Sequence, residues 1–135
     1  MNWLFKEEPA NYSFDALVKD KKTVWSGVKN PLAQKHLRSV RKGDGIFYYH
    51  TGDQKAVVGI AEVAATAYPD KTAKEGDWSA VDLVPHKALV RPVTLDEVKT
   101  IPKLKEMALL RYSRLSVQPV TADEFTEIIR MSGGK

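Results

Sequence analysis

Cysteine is absent from the 135 residues, and that absence removes several chemistries at once. No disulfide framework, thiolate nucleophile or cysteine-based zinc site can be built. Long apolar runs are missing as well, since no stretch approaches the roughly 20 residues that a membrane-spanning helix requires. The opening Met1-Asn2-Trp3-Leu4-Phe5-Lys6-Glu7-Glu8-Pro9 places acids where a secretory signal needs apolar residues. No membrane partner is expected, and a soluble, cytoplasmic protein is. There is no glycine-rich phosphate loop, and the histidines at 36, 50 and 86 lack metal-ligand spacing, so neither cofactor nor metal is expected. Neither sign of charge dominates: 21 basic and 17 acidic side chains leave a net charge of +4. That balance permits a polyanionic partner without requiring one. The length suits one domain over residues 1–135, with a core large enough to need no staples.

What is present concentrates in Val24-Trp25-Ser26-Gly27-Val28-Lys29-Asn30-Pro31. Trp25 offers a flat apolar face with one N–H donor. Gly27 allows a positive φ or the close approach of a ligand. Asn30-Pro31 reads as an N-cap followed by proline at the first helical position. A ring shortly before a helix start, whose free amides favour anions, suits an aromatic, phosphate-bearing ligand; on these residues alone a core tryptophan before an ordinary helix is the commoner arrangement. Over Pro31 to Lys42, Leu32, Ala33, His36, Leu37 and Val40 share one predicted face, and Lys35, Arg38, Arg41 and Lys42 share the other. That cationic stripe can contact phosphates or simply meet water.

Trp3-Leu4-Phe5 predicts a short buried strand closed by Pro9. Ser13 predicts the N-cap of a helix ending near Asp20. Ile46 to Thr51 predicts a central strand whose alternation puts Phe47, Tyr49 and Thr51 on one face and Tyr48 and His50 on the other. Ala56 to Val63 should pair with it antiparallel; Gly59 within it suggests a bulge, a bend or a close-approaching ligand. Ala64 to Ser79 reads as a long surface loop, followed by strands at Val81–Val84 and Ala88–Val93. Asp82 among apolar neighbours is either a water-facing strand residue or an acceptor in a site. Thr94 with Glu97 and Thr121 with Glu124 are capping boxes, with staple pairs Val93/Val98 and Val120/Phe125. Pro102 ends the first of these helices, and Lys103 to Leu110 offers another. Short strands, short helices and no βαβ rhythm indicate an α+β domain around a twisted sheet or small barrel.

In order and spacing, Trp3-Leu4 with Lys6 and Glu8-Pro9, Trp25-x-Gly27-Val28-Lys29-Asn30, Phe47-Tyr48-Tyr49-His50-Thr51, Tyr68-Pro69-Asp70, Trp78 with Val81-Asp82, and Arg114-Leu115-Ser116-Val117-Gln118-Pro119 resemble the EVE domain family, a branch of the PUA-like folds related to the YTH and SRA readers of modified bases. The departures are Glu7 in place of a frequent serine, Ser26 in place of a common acid, and Lys29 in place of a common arginine. The resemblance spans nearly the whole chain. It implies a PUA-like twisted β-barrel with peripheral short helices and a pocket for a single, modified nucleobase of DNA or RNA. Trp25, Gly27, Val28, Asn30, Tyr48, Tyr49, His50, Thr51, Trp78 and Asp82 are the expected pocket residues. Lys6, Lys29, Lys35, Arg38 and Arg114 are the expected phosphate contacts. The function so implied is non-catalytic binding. Two other readings use the same residues: a pocket for a small aromatic metabolite, and a hydrolase with Ser26, His50 and Asp82 as its triad. The latter lacks the Gly-x-Ser-x-Gly elbow.

Overall fold

A computed structural model describes residues 1–28, 30–71 and 78–133. The chain runs β1 (Asn2–Glu7), α1 (Phe14–Asp20), β2 (Thr23–Trp25), α2 (Pro31–Ser39), β3 (Gly45–His50), β4 (Ala56–Pro69), β5 (Ser79–Thr94), α3 (Leu95–Lys99), a 3₁₀ turn (Pro102–Leu104), α4 (Ala108–Arg111), β6 (Val117–Val120) and α5 (Ala122–Met131). The strands form one six-stranded sheet in the order β2-β5-β4-β3-β1-β6. Only β1 and β3 run parallel, with Leu4 beside Phe47; the other neighbours are antiparallel. This is a mixed α+β fold.

The expected closed barrel is not what the described residues form. β2 has three residues and hydrogen-bonds to β5 alone, β6 to β1 alone, and no ladder joins the two edges. The sheet nevertheless curls far enough for the Trp25 ring on β2 to meet the Phe5 ring on β1, 5.4 Å between centroids. Helix α2 packs on both β5 and β6 and so covers the gap.

Local signals explain most elements. Ser13 Oγ accepts from the Ala16 amide at the start of α1, and Asn30 Oδ1 accepts from the Ala33 amide at the start of α2, each at 3.0 Å. Both capping boxes form with side-chain bonds in both directions. Helix α2 stops at Ser39 because Val40 turns extended and inward, with 2% of its surface exposed. Leu32, expected on the apolar face, is 43% exposed, and the buried place in that first turn belongs to Gln34. The anticipated long loop after Ala64 is shorter, since β4 continues to Pro69 and β5 resumes at Ser79. The two strands expected around Pro85 are one strand, and irregular register opposite β4 accommodates the proline. Gly59 is glycine because a Cβ there would lie 2.5 Å from the Phe14 ring, so the close approach is by a side chain and not by a ligand.

Apolar residues fill both faces of the sheet. Trp3, Phe5, Phe14, Leu17, Trp25, Leu37, Tyr48 and Leu83 lie in one cluster. Leu4, Phe47, Tyr49, Val57, Leu104, Met107 and Ile128 lie in the other. Phe125 of α5 stacks on Phe47 at 4.1 Å, which fastens the C-terminal helix to the second face. Among the described residues no helix is long and apolar enough to cross a membrane.

Candidate functional site

Ser26, Gly27 and Val28 follow β2, Asn30 caps α2, and two side chains hold Gly27 and Val28 in place. Asp70, just beyond the end of β4, accepts the Gly27 N–H at 2.8 Å, while its own N–H donates to the Trp78 carbonyl at 2.8 Å. Gln34, 1% exposed, donates from Nε2 to the carbonyls of Val28 (2.6 Å) and Ser79 (3.2 Å), and its Oε1 accepts the Ser79 N–H at 2.9 Å. Gly27 and Val28 are thus tied to the turn end of the β4–β5 hairpin from two directions. Gly27 has φ +73°, a conformation few side chains tolerate, and among the described residues no atom beyond its chain neighbours lies within 4 Å of where its Cβ would be. Trp78 is half-buried at the same place, and Lys35 and Arg38 are exposed on the adjoining helix, with Arg38 Nε donating to Ser79 Oγ at 3.3 Å.

Trp25 lies beneath this rim and not on it. It is 6% exposed, and its ring meets Tyr48 edge-on at 5.5 Å as well as Phe5. Tyr48 is fully buried, donates its hydroxyl to the Tyr12 carbonyl at 2.5 Å, and meets the His50 ring at 5.6 Å. Burial and the nearby Glu7 charge push the Tyr48 phenol up, so it stays a donor. His50 has both ring nitrogens engaged: Nε2 accepts from the Phe14 amide at 3.0 Å, and Nδ1 lies 2.7 Å from Gln54 Oε1. The pattern assigns the Nδ1–H tautomer. Tyr48 and His50, expected in the pocket, are therefore core residues in the described structure. Strand alternation and the aromatic ladder place them there.

Asp82 faces away from Trp25. Trp25 pairs with Val81 on the core side, whereas Val24 pairs with Asp82 on the opposite side. There Asp82 Oδ1 accepts the Tyr68 hydroxyl at 2.5 Å, and Oδ2 lies 3.1 Å from Lys22 Nζ. The Tyr68 bond, with Lys22, holds the Asp82 carboxyl below its usual range; the same bond pushes the Tyr68 phenol up to about 12. The Ser26, His50 and Asp82 triad is accordingly not assembled, because the imidazole and the carboxylate are each bonded elsewhere. Nor do His, Asp and Glu group as metal ligands among the described residues.

Tyr49, Thr51 and Lys6 gather on the other face of the sheet, around a cavity of about 250 Å³. Arg114 follows Ser113, which lines the same cavity, and is exposed. The residues expected in one place therefore divide in two. Gly27, Val28, Asn30, Trp78, Lys35 and Arg38 surround the hairpin end, and Lys6, Tyr49, Thr51 and Arg114 lie beyond the sheet. Lys29 falls outside the described residues. Asp70 and Gln34 were not among the expected site residues, although Asp70 closes the Tyr68-Pro69-Asp70 run and Gln34 is a polar residue beside Ala33 on the buried side of a helix.

The sequence matches the EVE domain family over residues 1–131. Thymocyte nuclear protein 1 of Rattus norvegicus is 33% identical over an alignment covering 96% of this chain and 72% of that protein. Among solved structures, a protein of Agrobacterium tumefaciens is similar with a TM-score of 0.95 at 40% identity, covering 98% of this chain and 93% of that one. The human THYN1 protein in complex with 5-methylcytosine-containing DNA is similar with a TM-score of 0.89 at 28% identity, covering 99% of this chain and 98% of that one.

Proposed function

The chain belongs to the EVE domain family, and from that premise we propose that it binds nucleic acid carrying a modified base, as a single domain without catalysis. The observation that carries this reading is the likeness, over almost the whole of both chains, to the human protein bound to 5-methylcytosine-containing DNA. The geometry supports a place for it. The base would lie over Gly27 and Val28 at the end of the β4–β5 hairpin, against the half-buried Trp78, with Trp25 as the floor. Lys35 and Arg38 would meet the flanking phosphates. In this reading Asp70 and Gln34 set the loop before the ligand arrives, which lowers the ordering cost of binding.

Magnitudes separate affinity from selectivity. A base stacked on an aromatic ring gains about 1–3 kcal/mol and does so with little regard to sequence. Burying one added methyl contributes about 0.8 kcal/mol, roughly a fourfold preference. Strong discrimination therefore needs a polar group that the wrong base leaves unpaired. Fluorescence anisotropy with matched oligonucleotides, DNA and RNA, each carrying cytosine or 5-methylcytosine at one position, tests the reading. The modified DNA should bind at least severalfold tighter, lose affinity steeply with salt, and bind about tenfold more weakly to Trp78→Ala. Equal affinities that ignore salt and the substitution would overturn it and favour a metabolite pocket.

A further inference from the structure

Another cavity opens on the face of the sheet that carries Phe47, and no residue of the proposed base site lines it. It holds about 290 Å³, at the small end of the range for ligand pockets. Its floor follows from the register of the strands. Asn2, Gly45 and Glu62 stand in one row across β1, β3 and β4, and Leu4, Phe47, Ile60 and Lys87 stand in the next row on the same face. Gly45 leaves the first row open at its centre, where a Cβ would lie 2.9 Å from Asn2 Oδ1 and 3.2 Å from the Phe125 ring. Phe125 and Ile129, one turn apart on α5, supply with Ile60 the apolar wall.

The polar side of the cavity is set by an irregularity in β5. Between the pairs Ala61 with Pro85 and Ile60 with Lys87, that strand carries one extra residue, His86. A bulge of this kind re-aims a side chain. His86 and Lys87, which regular alternation would send to opposite faces, accordingly both line the cavity, and Glu62 lines it from β4. Among the described residues Glu62 and Lys87 form no ion pair with each other or with any other group. Nor do the side chains of Asn2 and His86 hydrogen-bond to any described residue. One carboxylate, one ammonium, one amide and one imidazole thus share an open volume with their bonding capacity unspent.

We propose that this cavity binds a free α-amino acid with an apolar side chain. The ligand's carboxylate lies on Lys87 and His86, its ammonium on Glu62, and its side chain against Ile60, Phe125 and Ile129. The Asn2 amide, a donor and an acceptor at once, completes the polar end. Charge decides the class of ligand. A phosphate or any other simple anion would meet Glu62, a simple cation would meet Lys87, and a neutral apolar molecule would take water from both without replacing it. A molecule with an ammonium beside a carboxylate answers both charges together. The cavity shares no residue with the base site, so the two are occupied separately.

The test is an NMR titration of the full chain with L-leucine and L-phenylalanine, and with phenylethylamine and hydrocinnamate, which keep the ring of phenylalanine and only one of its charges. The amides of Gly43, Gly45 and His86 should shift with both amino acids at millimolar concentration. Each singly charged analogue should bind about tenfold more weakly, as the loss of one charged hydrogen bond predicts. Glu62→Gln and Lys87→Gln should each weaken the response to the amino acids by a similar factor. Neither side chain has a partner among the described residues, so both variants should keep the wild-type spectrum elsewhere. Trp78→Ala should leave the titration unchanged, which separates this cavity from the base site. The proposal is overturned if neither amino acid shifts those amides, if the singly charged analogues bind as well as phenylalanine, if both charge substitutions leave the shifts intact, or if Trp78→Ala removes them.

Discussion

The two faces of the sheet are built from similar apolar strands and end in opposite states. On the first face, Phe5, Trp25, Tyr48 and His50 form a ladder of rings, and the polar atoms of Tyr48 and His50 are matched inside the protein: Tyr48 to Tyr12, His50 to Phe14 and Gln54. On the second face, Phe47 and Phe125 stack and the C-terminal helices cover the core, and the Lys6 ammonium reaches past the Tyr49 ring to the neutral Ser113 carbonyl. A matched interior supports a site from below, whereas unmatched polar groups invite a ligand. The rings of the first face thus underlie the loop proposed to take the base, while the second face leaves a cavity open beside Lys6 and Tyr49.

Substitutions that break this contrast differ in size. Trp25→Ala should cost about 3–5 kcal/mol in denaturant unfolding, as the removal of a buried ring does. Trp78→Ala should leave stability within about 1 kcal/mol while weakening the modified oligonucleotide. If Trp25→Ala proved nearly neutral, the ring would belong to the pocket wall and not to the core. Next comes Gln34→Leu, which leaves the Val28 carbonyl and the Ser79 amide without their buried partner and should cost about 2–3 kcal/mol. Gly27→Ala meets no atom among the described residues but must adopt a positive φ, so a loss of about 1–2 kcal/mol is expected by thermal unfolding.

The smallest expected effect is a pH dependence. Asp44 is buried, which by itself raises a carboxyl, but the Arg41 amide, the Trp3 indole N–H and the chain's ammonium outweigh that and hold it below 3.8. A carboxyl depressed in the folded state contributes stability above its unfolded value and loses it as pH falls through the lower folded value. Acid unfolding followed by circular dichroism should therefore steepen below about pH 4 in the wild type and flatten in Asp44→Asn. An unchanged acid limb would show that Asp44 gains nothing from its three donors.

Much of the fold was legible because its signals are local. The N-caps at Ser13 and Asn30, both capping boxes and the pairing of the Ile46 and Ala56 runs follow from side chains within a few residues of each other. β2 was not anticipated, because three residues with one valine carry no periodicity. The continuation of β4 beyond Val63 was hidden by Ala64, Ala65 and Ala67, whose strand preference is weak. The opening of the sheet is a tertiary matter, decided by the shortness of β2 and the packing of α2. The site shows the same division. Asp70 joins the expected Gly27 and Trp78, and Arg38 bonds to Ser79 beside them, while Tyr48 and Asp82 were expected there and lie elsewhere. Their positions depend on which face the curled sheet turns inward, which strand alternation alone does not decide. Asp70 and Gln34 act across 43 and 45 residues of sequence, a distance at which no spacing rule applies.

The central claim, that the loop tied by Asp70 and Gln34 receives a modified base, is met most directly by anisotropy titrations of wild type and Trp78→Ala with one DNA oligonucleotide in its cytosine and 5-methylcytosine forms. The wild type should prefer the methylated form at least fourfold, in line with one buried methyl, and Trp78→Ala should lose about tenfold in affinity while unfolding as the wild type does. Equal binding of both forms, or a Trp78→Ala protein that binds as tightly as the wild type, would contradict the account.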